Sequence, residues 1–251
     1  TQFHRKSVTV PMPDGVKMFP EYLRDAGYYT TNNSKKDYNA VESENVWDES
    51  SNKATWRNRK PGQSFFHMQT FKTTHESSLH FQDMSKPTEH DPDQAFVAPY
   101  HPDTPTFRYT NARYRDNIQT VDQQIGKVVD QLKEDGLLEN TFIFYFGDHG
   151  GVLPRGKGYA YESGLHVPLV VRVPENWKAV ASEVGTRSSQ IVSFVDFGPI
   201  EVDSRAWQLQ FWPDAKNLVG TRVGARLRQD TPVSADDIAE AGVAEQGFWA
   251  L

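Results

Sequence analysis

The sequence predicts an α/β domain in which a mostly parallel central sheet is covered by helices on both faces, and three observations predict it. Amphipathic helical segments alternate with short apolar strands, the pattern of crossover-connected sheets. One strand, Thr141-Phe142-Ile143-Phe144-Tyr145-Phe146, is an uninterrupted apolar run of the kind buried on both faces in the middle of a parallel sheet. Three strands run directly into clusters of ionisable residues, and in open α/β sheets ligands sit beyond the carboxyl ends of the strands.

The elements follow in order. Phe19, Tyr22, Leu23 and Ala26 share one face of a short helix over residues 18–26, which Gly27 stops. Tyr28-Tyr29-Thr30-Thr31 reads as a strand that enters a polar loop, Asn32-Asn33-Ser34-Lys35-Lys36-Asp37. Residues 40–63 are rich in Asn, Ser, Glu and Lys, with Trp47 and Trp56 as the large apolar anchors, and read as a surface excursion. Residues 64–71 return to strand character and end in Thr73-Thr74-His75-Glu76-Ser77. Residues 80–106 carry Pro87, Pro92, Pro99, Pro102 and Pro105, a loop long enough to point to a functional surface. Tyr114, Ile118, Val121, Ile125, Val128 and Leu132 then recur at helical spacing, and Lys133 and Gly136 close that helix. The buried strand ends at Gly147-Asp148-His149-Gly150-Gly151, and a further apolar strand covers 167–173.

Composition narrows the function. The chain has 251 residues, 37% of them hydrophobic and 12% aromatic, enough for a real core in one large domain or two small ones and against wholesale disorder. Zero cysteine excludes a disulfide framework, a thiolate metal site and a cysteine nucleophile within these residues. Mixed charges with a net of −6 leave no basic footprint for nucleic acid. No apolar run reaches the ~18–20 residues of a membrane-spanning helix.

Asp148-His149 stands where a buried strand emerges. A hard divalent cation takes carboxylate oxygen, and a histidine adds a neutral nitrogen or donates a hydrogen bond; the flanking glycines would let the backbone turn and approach an ion. A strand-end turn that satisfies local backbone N–H groups explains the same dipeptide equally well. Lys157, between Gly156 and Gly158, can bring a compact positive charge to an anion, as can Lys35 or Lys36. His75 alone would be an ordinary loop histidine. Their common placement at one sheet edge makes them candidates.

Taken together, Tyr28 to Asn39, Phe65-Phe66 leading to Thr74-His75-Glu76-Ser77, Phe146-Gly147-Asp148-His149-Gly150-Gly151, and Arg155-Gly156-Lys157-Gly158-Tyr159-Ala160-Tyr161-Glu162-Ser163-Gly164-Leu165-His166-Val167-Pro168 resemble the sulfatases of the alkaline phosphatase superfamily, in order from about His4 to Pro199. The resemblance implies an alkaline-phosphatase-like sandwich and a sulfuric ester hydrolase acting on carbohydrate or aryl sulfates. It implies that Asp148 and His149 ligate a divalent cation, Ca2+ in most of the family with Mg2+ as the alternative, although Asn often stands at the second position. It implies that Lys157 holds the sulfate and that His75 contacts it or protonates the leaving oxygen. Lys35 matches the first residue of a Lys-x-His motif whose histidine is replaced by Asp37. Small-molecule or carbohydrate sulfate esters are the implied partners, and the periplasm or the exterior the implied location. A phosphate or phosphonate ester hydrolase of the same superfamily, and a non-catalytic anion- or metal-binding remnant, are the alternatives.

The departures are as specific. Sulfatases form their formylglycine nucleophile from a Cys or Ser in Cys/Ser-x-Pro-x-Arg; here there is no cysteine, and Ser85-Lys86-Pro87-Thr88-Glu89 ends in Glu. The segment His4-Arg5 resembles the stretch after the nucleophile helix, so the expectation is a domain over residues 1–199 that is truncated at its N-terminus and inactive by itself. Gln190 to Pro199 matches the family's lead into an apolar helix, which Ile200-Glu201-Val202-Asp203 does not continue. Residues 200–251 read as a divergent C-terminal segment with a helix start at Ser234-Ala235-Asp236-Asp237, from either an altered reading frame or a diverged tail.

Overall fold

The computed structural model describes residues 10–36, 38, 40–81, 83–180, 184–189, 192 and 246–250. His4-Arg5, Asp37, the segment 193–200 and the expected helix start at 234–237 lie outside the described residues.

The sheet contains β1 (Tyr29–Asn33), β2 (Glu49–Ser50), β3 (Phe65–Phe71), β4 (Ile143–Gly147), β5 (Leu169–Arg172) and β6 (Gln246–Ala250), in the spatial order β2-β1-β3-β6-β4-β5. β2, β1 and β3 pair in parallel. β6 runs antiparallel to both β3 and β4, so β4 points the same way as β1 and β3, while β5 opposes β4 at the edge. The parallel core of the sequence reading is therefore present, and the two opposed strands, β5 and β6, are the last in sequence among the described residues. β6 belongs to the segment with no assigned structure in the sequence reading, and its backbone pairs the edges of β3 and β4.

Alternation along the strands explains why both faces must be covered. In β4 and the residue before it, Phe142, Phe144 and Phe146 pack with Leu169, Val171 and Val173, while Ile143 and Tyr145 turn to the opposite cluster. β3 does the same: Phe65 and Phe71 join Val121, Val128 and Leu132, whereas Phe66 meets Leu23 and Phe19. The first of these faces is covered by α2 (Pro105–Glu134), the second by α1 (Phe19–Asp25). Burial of each such side chain contributes about 1.5–3 kcal/mol.

α2 starts at Pro105, inside the segment expected to be loop, because Thr104 caps it by accepting from the Phe107 N–H. It ends as expected: Gly136 takes φ 69°, and the Leu137 N–H returns to the Leu132 carbonyl at 2.9 Å. The polar excursion 40–63 is less superficial than its composition implies. Trp56 is buried against Phe65, and its Nε1–H donates to Asp135 Oδ2 at 2.7 Å. The Arg57 guanidinium bonds the same oxygen at 2.8 Å and holds the Asp135 carboxyl below its usual range, offsetting a negative charge at a helix C-terminus. Val46 is also buried, and two residues of the excursion form β2.

The glycines after β4 bring two loops into close backbone contact. Gly150 N–H donates to the Gly164 carbonyl at 2.9 Å and Lys157 N–H to the Gly151 carbonyl at 2.8 Å, so two loops lie backbone against backbone. A Cβ on Gly150 would meet Ser163 O at 1.9 Å, on Gly156 Gly151 O at 1.8 Å, and on Gly164 Tyr159 O at 2.2 Å.

Gly156→Ala is therefore expected to cost about 1–3 kcal/mol in urea unfolding, because a backbone atom must move; Gly126→Ala, on α2 with nothing within 4 Å of its Cβ position, is expected to add about 0.5–1 kcal/mol. Equal effects would refute the loop contact. His67 of β3 is buried, bonded to Thr31 Oγ1 at 2.7 Å, and burial pushes its imidazole down to about 4. Above pH ~6.5 it is neutral in folded and unfolded chains alike; between about 6.5 and 4 only the unfolded chain protonates, and stability falls by on the order of 3 kcal/mol. His67→Gln is expected to lose less stability between pH 7 and pH 4.5 than the parent chain, and an unchanged loss would refute this assignment.

Candidate active site

The shared direction of β1, β3 and β4 brings their exits to one edge. Lys35 lies just beyond β1, His75 on the turn after β3, Asp148-His149 immediately after β4, and Lys157 on the loop that the glycine contact presses against that exit. Electrostatic interactions link the five through His75 and Asp148. His75 is acted on by Lys157, Lys35 and Asp148, and Asp148 by His149 and Lys35.

Local bonding sets each side chain. Asn32, buried at the end of β1, donates from Nδ2 to the Lys35 carbonyl at 3.0 Å and to Ser50 Oγ at 3.0 Å, which fixes the turn that presents Lys35. The neighbouring lysine goes elsewhere: Lys36 Nζ pairs with Glu42 at 2.6 Å. The structure thus parts the two lysines and leaves Lys35, the one the family resemblance selects, acting on His75. β1 also runs through Asn33, two residues beyond the expected strand, because Thr30, Thr31 and Asn32 are all buried with side-chain partners.

His75 caps the short turn Glu76–Leu79. The Ser77 N–H donates to its Nδ1 at 3.2 Å, so in the neutral ring the proton sits on Nε2. Partial burial, then the charges of Lys157 and Lys35, push the imidazole below its ordinary value, against Glu76 and Asp148. A neutral His75 is therefore a hydrogen-bond donor through Nε2. Lys157 Nζ lies 3.5 Å from Glu76 Oε2, so Glu76 steadies the ammonium beside that histidine. Glu76 is part of the sequence motif but carried no role in it.

At the β4 exit, His149 Nδ1 lies 2.9 Å from the Gly150 carbonyl, which only accepts; Nδ1 carries the proton, and in the neutral ring Nε2 is a lone pair 3.7 Å from Asp148 Oδ2. Two acceptors facing each other suit a cation between them. The loss of hydration pushes the Asp148 carboxyl above its usual value, although His149 and Lys35 pull the other way. The pair fits as part of a cation site, and among the described residues no group of three His, Cys, Asp or Glu completes one. Tyr114, expected only as an apolar-face residue of α2, is buried with a hydroxyl that has no partner among the described residues, and Asp148 is among the groups that act on it. A tyrosine at helical spacing carries no signal that would distinguish it from core.

Two ammonium groups, a neutral N–H donor and a carboxylate–imidazole pair at one sheet edge are chemically suited to a small polyoxygenated anion.

Comparison with known proteins identifies the family. The sulfatase family profile matches residues 1–200, and an imelysin profile matches residues 187–251. An ulvan-active sulfatase of Formosa agariphila is 38% identical over 221 residues, covering 74% of this chain and 36% of that protein. Human N-sulphoglucosamine sulphohydrolase is 31% identical over 117 residues, covering 47% of this chain and 22% of the enzyme. An N-acetylglucosamine-6-O-sulfatase of Bacteroides thetaiotaomicron is 35% identical over 94 residues, covering 36% and 16%. The chain thus spans about a third or less of the length of these relatives. With a match that takes in four-fifths of its length, the chain belongs to the sulfatase family.

Proposed function

We propose that residues 1–199 form the sulfate-holding part of a carbohydrate sulfate ester hydrolase, and that residues 200–251 are a separate segment. The observation that carries the first statement is the convergence of Lys35, His75, Lys157 and Asp148-His149 from separate segments onto one strand edge. The imelysin profile over 187–251 supports the second. Sulfated sugars are favoured as substrates by the names of the relatives, which specify ulvan, N-sulphoglucosamine and N-acetylglucosamine-6-O-sulfate chemistry.

The roles follow from charge. Cleavage of a sulfate ester concentrates negative charge on the sulfuryl and leaving oxygens. Lys35 and Lys157 lie where they can neutralise it as point charges, Lys157 steadied by Glu76. His75, neutral and protonated on Nε2, donates a hydrogen bond to a sulfate oxygen or to the leaving oxygen. Asp148 and His149 would hold a divalent cation, calcium by the family resemblance, which when bound supplies Lewis-acid stabilisation of the same charge. The family's covalent nucleophile has no counterpart in these 251 residues, which contain no Cys/Ser-x-Pro-x-Arg motif. These residues are accordingly expected to bind the anion without turning it over.

Purified residues 1–251 are expected to show no hydrolysis of a chromogenic aryl sulfate; turnover that disappears in Lys157→Ala would overturn the inactive reading. Inorganic sulfate and calcium are each expected to raise the melting temperature by linkage. Lys157→Ala is expected to weaken sulfate about tenfold or more, as the loss of a charge-assisted contact of about 1.5–3 kcal/mol implies, and Asp148→Asn to remove the calcium shift. Phosphate that binds more tightly than sulfate would instead favour the phosphate-ester branch of the superfamily.

A further inference from the structure

Beside the anion site, on the same loop, stands an exposed aromatic stack that the chemistry above does not use. Arg155 places its guanidinium carbon 4.2 Å from the centre of the Tyr161 ring and 4.6 Å from that of Tyr100. Tyr159 stacks on Tyr161, with centroids 6.1 Å apart and planes at 20°. The three rings are 44% (Tyr100), 56% (Tyr159) and 48% (Tyr161) exposed, unlike the buried aromatic residues of the core.

The stack is built at a cost in backbone energy. Arg155 has φ 72°, the one non-glycine residue with positive φ among the described residues. For a long side chain this conformation is unfavourable, and it persists when the surroundings impose it. Ser163 Oγ donates to the Arg155 carbonyl at 2.7 Å and holds the turn. The proline-rich loop that carries Tyr100 is pinned by His101, whose Nε2–H donates to the Pro154 carbonyl at 2.7 Å. Two loops are thus braced so that an arginine lies between two half-open tyrosines. Among the described residues its guanidinium makes no hydrogen bond to a protein acceptor, so its in-plane donors are available to a ligand.

From this geometry we propose that Tyr100, Arg155, Tyr159 and Tyr161 form a sugar-binding subsite for an anionic polysaccharide, adjacent to the sulfate held by Lys157. This rests on the reading of the neighbouring site as one for carbohydrate sulfate. A pyranose ring offers a flat array of C–H bonds that packs on an aromatic face, and its hydroxyl, carboxylate or sulfate oxygens accept from a guanidinium. Tyrosine supplies rigid contact area at little entropic cost, and stacking on the arginine organises the platform before the ligand arrives. Lys157 and Tyr159 flank Gly158 in one turn closed by the Tyr159 N–H to the Gly156 carbonyl at 3.1 Å, so a sugar on the platform lies next to the sulfate-bearing unit. The subsite reads the polymer, and the lysine reads its sulfate.

The test is affinity electrophoresis of residues 1–251 in gels that contain ulvan or chemically desulfated ulvan. Tyr159→Ala and Tyr161→Ala are each expected to weaken retention by both polymers about tenfold, and Tyr159→Phe to preserve it. Arg155→Gly suits the positive φ, so its melting temperature is expected to hold or rise while retention, above all by ulvan, falls. Lys157→Ala is expected to weaken ulvan alone. Alanine variants that bind like the parent, or a parent chain retained by neither polymer, would overturn the subsite. If the tyrosine effects stand while inorganic sulfate and Lys157→Ala change nothing, the platform is supported and the sulfate reading of the neighbouring site fails.

Discussion

Parallel alignment of β1 and β3, with β4 in the same sense, is the constraint from which the site follows. Side chains far apart in sequence can serve one anion only if their strands end on the same side of the sheet. Burial on both faces then sets the register of these strands: Phe65, Phe71 and Ile143 must meet α2, and Phe66 must meet α1, and a one-residue slip would exchange these faces. The same packing that stabilises the sheet therefore fixes where Lys35, His75 and Asp148 emerge.

A second contact places the remaining cation. Lys157 is not on a strand exit, and it is delivered by the close approach of two loops at Gly150, Gly156 and Gly164. Once there, its charge changes its neighbours. Partial burial already disfavours an imidazolium at His75, and Lys157 together with Lys35 adds to that, while Glu76 limits the repulsion and holds the ammonium. Positive potential is kept on the lysines, where it can meet an anion, and the histidine is left as a neutral donor. Packing of glycine backbones and the protonation state of a histidine are in this sense one arrangement.

Much of this was legible in the residues. The period of α2, the two-faced apolar run of β4 and the clusters after three strands required no tertiary information, since they follow from side-chain periodicity and strand-end chemistry. Other features were misjudged for identifiable reasons. Residues 40–63 look solvated by composition, yet Trp56 and Val46 enter the core because one large apolar side chain outweighs several polar neighbours. Asn32 looks like loop, but it is buried inside β1, where both N–H donors of its amide are bonded, to the Lys35 carbonyl and Ser50 Oγ.

By itself the sequence determined the α/β architecture, the lack of cysteine in these residues and, through the family resemblance, the candidate site residues, because each rests on composition or on short-range pattern. Only the tertiary structure decided that Lys36 turns away to Glu42 while Lys35 acts on His75, which nitrogen of His75 holds the proton, why the glycines are glycines, and that Arg155 lies over the rings of tyrosines from two loops. Those answers depend on atoms brought together from distant segments, and no local pattern encodes a neighbour that arrives from elsewhere in the chain.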